Sequence, residues 1–290
     1  MAVEGLKKTL VLGHRNPDTD SICSAICYAG FKHQLTGENY EPCRAGNVSP
    51  ETQYVLDYFN LKAPRLVENV KTQVKDIEIR KTKGVSRGIS LKNAWGLMQE
   101  NNVVTLPCVT EEGLLEGVIT IGDITKSYMN LYDSSIISKA CTKYANILDT
   151  LEGSMVVGDS EAYFDRGKVL IAAANPDLME NYIEKHDLVI LGNRYESQLC
   201  AIEMEAGCII VCEGAGVSLT IRKLAQERGC AVITTPYDTY TTARLINQSM
   251  PISYFMTKEN IIEFSEEDYL DDIREIMASK RHRDFPILDS

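Results

Sequence analysis

The chain has 290 residues, of which 44% are hydrophobic and 24% charged, and its formal net charge is −11. Such a composition is typical of a globular protein with a sizeable core, and the length suggests two or three domains. The negative charge gives no general support for nucleic-acid or acidic-membrane binding, and no apolar run approaches the roughly 20 residues of a membrane helix. We therefore expect no nucleic-acid partner and no membrane partner.

The first predicted elements surround a polar loop. Residues 9–13 form a short apolar run that ends in glycine, which predicts a buried parallel strand. The loop from His14 to Asp20 follows, and Ser21 is the predicted cap of a helix over residues 22–35. A strand over 40–45 and a helix over 51–59 complete a β-α-β-α order, the beginning of a doubly wound sheet.

The remaining elements fall into a weak internal repeat around a central segment. The first copy has predicted strands at 74–80, 103–109 and 115–121 and helices at 90–100 and 123–131. The second has an extended stretch at 251–256, strands at 261–264 and 285–289, and a helix at 269–279. Between them, strands at 169–174, 188–192, 208–212 and 231–235 alternate with helices at 177–185, 195–205, 218–228 and 239–248. This alternation predicts a small parallel sheet flanked by helices.

Cysteine usage favours a reducing compartment. The nine cysteines are odd in number, most lie in apolar stretches, and none forms a paired C-x-x-C cluster. We interpret them as reduced thiols of a cytoplasmic protein rather than as a zinc site. The first residues show no signal-peptide pattern, which agrees with a cytoplasmic location.

His14, Asp18 and Asp20 are the candidate catalytic and metal-ligating residues. They share a loop after a buried strand, where open α/β sheets place their ligand sites. Two carboxylates at this spacing can reach neighbouring cations, and an imidazole adds a nitrogen ligand suited to manganese, cobalt or zinc. The alternative is that Asp18 or Asp20 only caps the helix and that His14 lies on the surface.

The string Gly13-His-Arg-Asn-Pro-Asp-Thr-Asp-Ser-Ile-Cys-Ser-Ala-Ile26 resembles the first motif of the DHH phosphoesterase superfamily. More narrowly, it resembles the manganese-dependent family II inorganic pyrophosphatases, and residues 42–46, 51–56 and 64–67 follow the same pattern. The resemblance implies that His14 and Asp18 bind a first Mn²⁺ or Co²⁺ and that Asp20 binds a second. It also implies pyrophosphate as the substrate, accompanied by Mg²⁺.

The chain departs from that family in its later motifs. It has only four histidines and contains no Asp-His-His string, no Asp-His-Asn-like string and no substrate-clamping domain with lysine and arginine. We therefore expect it to supply only part of a two-metal site, as an enzyme truncated before the Asp-His-His motif.

Residues 73–130 and 250–290 resemble a pair of cystathionine-β-synthase-type (CBS) domains, and the segment between them resembles a DRTGG domain. The order resembles the nucleotide-regulated subgroup of family II pyrophosphatases. The implied fold is α/β: an incomplete N-terminal doubly wound DHH-type parallel sheet, then a CBS pair interrupted by a small α/β DRTGG domain. The expected boundaries are 1–70 for the DHH part, 71–132 for the first CBS domain, 133–249 for the DRTGG domain and 250–290 for an incomplete second CBS domain.

The CBS resemblance implies a nucleotide site. Asp123 would bind ribose hydroxyls, Thr120 would lie near phosphate at a helix amino terminus, and Tyr254 would stack on adenine. The alternatives are a helix cap at Asp123 and ordinary packing at Tyr254.

Further ligand contacts are predicted from a basic cluster and from one position in the first copy. Arg281, His282 and Arg283 suit the phosphates of AMP, ADP, ATP or a diadenosine polyphosphate, unless the cluster is a solvated turn. Asn101, with Asn102 beside it, occupies the equivalent place in the first copy and is a further candidate contact.

Three functions are compatible with these patterns. The leading one is a pyrophosphatase that works as a homodimer and is regulated by adenine nucleotides at its CBS domains. The second is a non-catalytic adenine-nucleotide-binding regulatory module. The third is another DHH phosphoesterase.

Overall fold

The computed structural model describes residues 8–129, 133–280 and 284–288, and its fold is α/β. These residues divide into two compact units. One unit contains residues 8–78 and 266–280, and the other contains residues 79–265 and 284–288. Within the described ranges, no helix has both the length and the apolar character needed to cross a bilayer.

The first unit is built on a three-stranded parallel sheet of order β1-β2-β3. Its elements are β1 (Thr9–Leu12), α1 (Thr19–Thr36), β2 (Tyr40–Arg44), α2 (Pro50–Tyr58) and β3 (Arg65–Leu66). The predicted β-α-β-α order is confirmed. Ile22, Ala25 and Ala29 lie on one face of α1 and are buried, as the helical period requires.

The cap of α1 differs from the prediction. The helix begins at Thr19 and its cap is Asp18, whose side chain accepts a hydrogen bond from the Ser21 N–H. The predicted cap at Ser21 is therefore wrong. An aspartate three residues earlier satisfies the free N–H of the first turn, and Ser21 lies inside that turn.

The second unit contains most of the remaining elements. In chain order they are α3 (Leu91–Glu100), β4 (Thr105–Val109), β5 (Leu115–Thr120), α4 (Ile121–Met129), α5 (Ile136–Lys139), β6 (Thr142–Lys143), α6 (Tyr144–Thr150), β7 (Ser154–Val157), β8 (Tyr163–Phe164), β9 (Val169–Ile171), α7 (Pro176–Met179), β10 (Leu188–Leu191), α8 (Tyr195–Glu203), β11 (Cys208–Val211), α9 (Leu219–Arg228), β12 (Ala231–Thr234), α10 (Thr239–Leu245) and β13 (Phe264–Ser265). The helix α11 (Leu270–Lys280) belongs to the first unit, and β14 (Ile287–Leu288) pairs in parallel with β13 in the second.

Two predicted extended segments of the repeat are wrong. The strand predicted at 74–80 is a 3-10 turn, Val74–Asp76, because the Gln73 N–H donates to the Asp76 carboxylate and closes the segment on itself. The stretch predicted at 251–256 contains the 3-10 turn Ile252–Tyr254. Its flanks form isolated bridges from Pro251 to Ser90 and from Thr257 to Val118.

The central segment forms a five-stranded sheet of order β7-β12-β11-β10-β9. Strands β9 to β12 are parallel, as predicted, and β7 is an antiparallel edge strand that the sequence did not reveal. Alternate residues of the central strands pack on opposite faces: Ile190 and Ile210 belong to one buried cluster, and Val189 and Ile209 to the other. Each face of this sheet therefore packs against its own cluster of apolar side chains.

Candidate metal loop and nucleotide site

The candidate metal loop joins β1 to α1. It contains the residues between Leu12 and Thr19, and Asp18 closes it as the cap of α1. The Ser21 N–H donates to Asp18 Oδ1 at 2.9 Å, so the start of the helix orients this carboxylate. Asp18 therefore does cap the helix, as the alternative interpretation held. Its side chain nevertheless remains 68% exposed to solvent.

His14 and Asp18 meet within the loop. His14 Nε2 lies 3.4 Å from Asp18 Oδ1, and both side chains are exposed. The Ser21 N–H, and to a smaller extent the His14 ring, hold the pKa of Asp18 below its usual value. An ionised carboxylate beside an imidazole is a suitable pair of donors for a divalent transition metal.

Asp20 lies apart from this pair. It sits in the first turn of α1, and Asp20 Oδ1 accepts a hydrogen bond from the Ser24 hydroxyl at 3.2 Å. Across residues 8–129, 133–280 and 284–288, no three His, Cys, Asp or Glu side chains are grouped to hold a metal ion. The structure thus brings together two of the three predicted ligands. The pair fits one cation by its chemistry, and Asp20 remains a candidate ligand for another.

The candidate nucleotide residues Thr120 and Asp123 lie where β5 runs into α4. The Thr120 hydroxyl donates to Asp123 Oδ2 at 2.7 Å, and the Thr120 N–H donates to the same oxygen at 3.0 Å. The Asp123 N–H donates back to the Thr120 hydroxyl at 3.2 Å. Thr120 therefore occupies the cap position before α4, and Asp123, the third residue of the helix, returns the bond to the Thr120 N–H as in a capping box. The alternative role of Asp123 in closing the helix start is thus present in the structure.

Tyr254 is carried by a segment that hydrogen-bonds to β5. The Thr257 N–H donates to the Val118 carbonyl at 2.9 Å, and the Val118 N–H donates to the Thr257 carbonyl at 3.0 Å. Gly117 is needed there, because a Cβ at that position would lie 2.8 Å from the Thr257 carbonyl oxygen. Tyr254 is 46% exposed, with its ring edge-to-face with Phe255 at 5.0 Å. The exposed part of this ring is available for stacking.

The other predicted ligand contacts lie partly inside and partly outside the described residues. The Asn101 side chain donates to the Leu97 carbonyl at 2.8 Å and closes the end of α3. The Arg80 guanidinium donates to the Asn102 carbonyl at 2.7 Å. A cationic side chain that the sequence analysis did not single out therefore lies beside this position. Arg281, His282 and Arg283 lie outside the described residues.

Two domain families match the sequence. Residues 146–249 match the DRTGG domain, and residues 74–130 match the CBS domain. Among solved structures, the CBS and DRTGG domains of the regulatory region of Clostridium perfringens pyrophosphatase, complexed with the activator diadenosine tetraphosphate, superpose with a TM-score of 0.71. That similarity has 35% identity and covers 76% of this chain and 96% of the other.

Curated relatives extend the similarity beyond these domains. The cobalt-dependent inorganic pyrophosphatase of Clostridium perfringens is 39% identical over 279 residues, which are 96% of this chain and 51% of that protein. A probable manganese-dependent inorganic pyrophosphatase of Thermotoga maritima is 29% identical over 282 residues, 97% of this chain and 51% of that protein. The chain spans about half the length of these relatives. It contains a CBS domain and a DRTGG domain and is similar over almost its whole length to inorganic pyrophosphatases.

Proposed function

We propose that this chain supplies the first metal-binding loop and the regulatory region of a metal-dependent inorganic pyrophosphatase, which hydrolyses pyrophosphate to phosphate. The observation that carries the proposal is the contact between His14 and Asp18 at the end of a parallel strand. The similarity to cobalt- and manganese-dependent pyrophosphatases over almost the whole chain supports the same activity.

In this proposal, His14 Nε2 and the Asp18 carboxylate bind one Mn²⁺ or Co²⁺ and Asp20 binds a second, with Mg²⁺ accompanying the substrate. Bound divalent cations lower the pKa of a water and neutralise charge on phosphoryl oxygens. Asp18 is held ready by the Ser21 N–H, which favours its ionised form. Asp20 would have to give up or share its hydrogen bond with Ser24.

A metal titration followed by an activity assay tests this proposal. The chain should bind Mn²⁺ or Co²⁺, and Asp18→Asn should abolish that binding. Pyrophosphate turnover is expected from a protein with the full length of the relatives, and little or none from this chain, because the loop is only part of a two-metal site. If the full-length protein with bound Mn²⁺ released no phosphate from pyrophosphate, the assigned substrate would be wrong.

We also propose that adenine nucleotides regulate the enzyme through the CBS region. Tyr254 would stack on adenine, Asp123 would bind ribose hydroxyls, and Thr120 would face phosphate, with Asn101 as a further contact. AMP, ADP, ATP and diadenosine polyphosphates are the expected ligands. The solved structure that this region resembles contains diadenosine tetraphosphate as an activator, which supports the last of these.

A second candidate function is a non-catalytic regulatory module that binds adenine nucleotides. It is favoured by the similarity to a structure made only of regulatory domains, which this chain covers to 96%. Calorimetry with diadenosine tetraphosphate, AMP and ATP, combined with the metal titration, separates the candidates. Nucleotide binding without any Mn²⁺ or Co²⁺ binding would favour the module.

The finer expectations on assembly and location belong to the same proposal. The metal-loop motif agrees with a DHH-type domain. A regulatory role for the CBS region agrees with a homodimer. The nine free cysteines agree with a cytoplasmic location. Light scattering of the purified protein with and without diadenosine tetraphosphate tests the dimer, since a monomer under both conditions would exclude it.

A further inference from the structure

Ser21 has a buried hydroxyl without a partner. The residue is 8% exposed, and its Oγ is one of two buried side-chain oxygens in the described ranges that make no hydrogen bond; the other is Thr150 Oγ1. An unpaired buried hydroxyl lowers stability, because it loses its bonds to water and gains none in the protein. Such a group calls for a partner that arrives with a ligand or an ordered water.

The position of this hydroxyl connects it to both ends of the metal loop. A Cβ on Gly13 would lie 1.8 Å from Ser21 Oγ, so only glycine allows the residue before His14 to approach so closely. The Ser21 N–H donates to Asp18 Oδ1 at 2.9 Å. Ser21 therefore touches the residue before one candidate ligand and orients the other.

We propose that Ser21 is a positioning residue of the metal loop, whose hydroxyl hydrogen-bonds a water brought by the cation bound to His14 and Asp18. The inference rests on the proposed function, because it needs a cation in this loop. Partners that hold ligands and metal-bound waters in place change metal affinity without binding the metal themselves.

Ser21→Ala tests the role, because its effects on stability and on metal binding should have different signs. In the metal-free chain the variant loses no hydrogen bond and removes an unpaired polar atom, so its unfolding midpoint should stay the same or rise by about 2 °C. Its Mn²⁺ affinity, measured from the spin-resonance signal of free Mn²⁺, should fall by about 10- to 100-fold. Thr36→Ala, near the exposed end of α1, is the control for metal binding: it removes a hydroxyl that donates to the Lys32 carbonyl and accepts the Glu38 N–H, so it should lower the unfolding midpoint slightly and leave Mn²⁺ affinity unchanged.

Gly13→Ala is the second variant. Its methyl group would displace the Ser21 hydroxyl, so Mn²⁺ affinity should fall, and the loss in the double variant should be smaller than the sum of the two single losses. Equal Mn²⁺ affinity of Ser21→Ala and wild type would overturn the inference while leaving the proposed function intact. A wild-type chain that bound no Mn²⁺ would refute the metal loop itself and this inference with it. If metal-free Ser21→Ala were destabilised by several degrees and Gly13→Ala bound Mn²⁺ normally, Ser21 would have only a structural role.

Discussion

Thr120 and Asp123 hydrogen-bond to each other in both directions at the start of α4, with the hydroxyl donating to the carboxylate at 2.7 Å. Removing the carboxylate by Asp123→Ala should therefore cost about 1 kcal/mol of unfolding free energy, because the Thr120 N–H and hydroxyl lose their acceptor. If Asp123 also binds ribose, the affinity for diadenosine tetraphosphate should fall at least tenfold, as calorimetry can measure.

Asp238→Ala is the matched control for that prediction. Asp238 caps α10 through the Thr241 N–H at 2.9 Å, so its removal should cost a similar amount of stability. It should leave nucleotide affinity unchanged. Equal nucleotide affinity in both variants would leave Asp123 with only its structural role at the start of α4.

Tyr254→Ala should weaken adenine-nucleotide binding by roughly 10- to 100-fold, the usual loss when an aromatic side chain that stacks on a base is removed. Tyr254→Phe should bind almost as well as wild type, because the stacking face is kept. Tyr240→Ala removes a more exposed tyrosine, which lies beside Arg244, and serves as the control in the same calorimetric titration. Equal losses in the alanine and phenylalanine variants would exclude stacking as the role of the ring.

Asp187 should be important for the stability of the second unit. The residue is 1% exposed, and its two carboxylate oxygens accept the Lys168 and Glu184 N–H groups, each at 2.9 Å. Asp187→Ala leaves both donors without their partner and should lower the unfolding free energy by about 2–4 kcal/mol in urea denaturation. Asp177→Ala, at an exposed position in α7, should change it by less than about 0.5 kcal/mol. Similar losses in the two variants would contradict this role.

Asp133 should make stability depend on pH in the acid range. The Lys139 ammonium, followed by the Ser135 hydroxyl and N–H, lowers the pKa of Asp133 to about 2. The unfolded-state pKa is about 3.9, so this stabilisation is complete above that value and is lost as the pH falls through about 2. The difference in urea midpoint between wild type and Asp133→Asn should therefore shrink from pH 5 to pH 2. A constant difference would show that the charge of Asp133 does not contribute.

Cysteine labelling should separate exposed from buried thiols. Cys27 and Cys141 are exposed, whereas burial raises the pKa of Cys108 to about 11 and that of Cys230 to about 12. Since the thiolate is the reactive form, brief iodoacetamide treatment of the native chain should modify Cys27 and Cys141 and spare Cys108 and Cys230. In denaturant all nine should react, as mass spectrometry can count. Native labelling of Cys230 at the rate of Cys27 would contradict the buried packing.

The elements that sequence reasoning located are those whose pattern is local. The strand before Gly13, the helix after it and the strands β9 to β12 each have a period or an apolar run that favours one conformation. The candidate metal loop could be found in the same way, because its one imidazole and two carboxylate side chains lie within seven residues.

Contacts between distant segments decided the rest. The strand β7 gains its place at the edge of the sheet by antiparallel pairing with β12, about 75 residues later. Val74–Asp76 forms a turn whose Val74 and Lys75 N–H groups donate to the Asp268 and Glu266 carbonyls, about 190 residues later in the chain. The approach of Gly13 to Ser21, and the hydroxyl left unpaired there, depends on how β1 packs against α1. The sequence alone determined which side chains are available for chemistry, because residue type and local period are written in it. Only the tertiary structure decided which of them meet, because packing sets the distances between atoms.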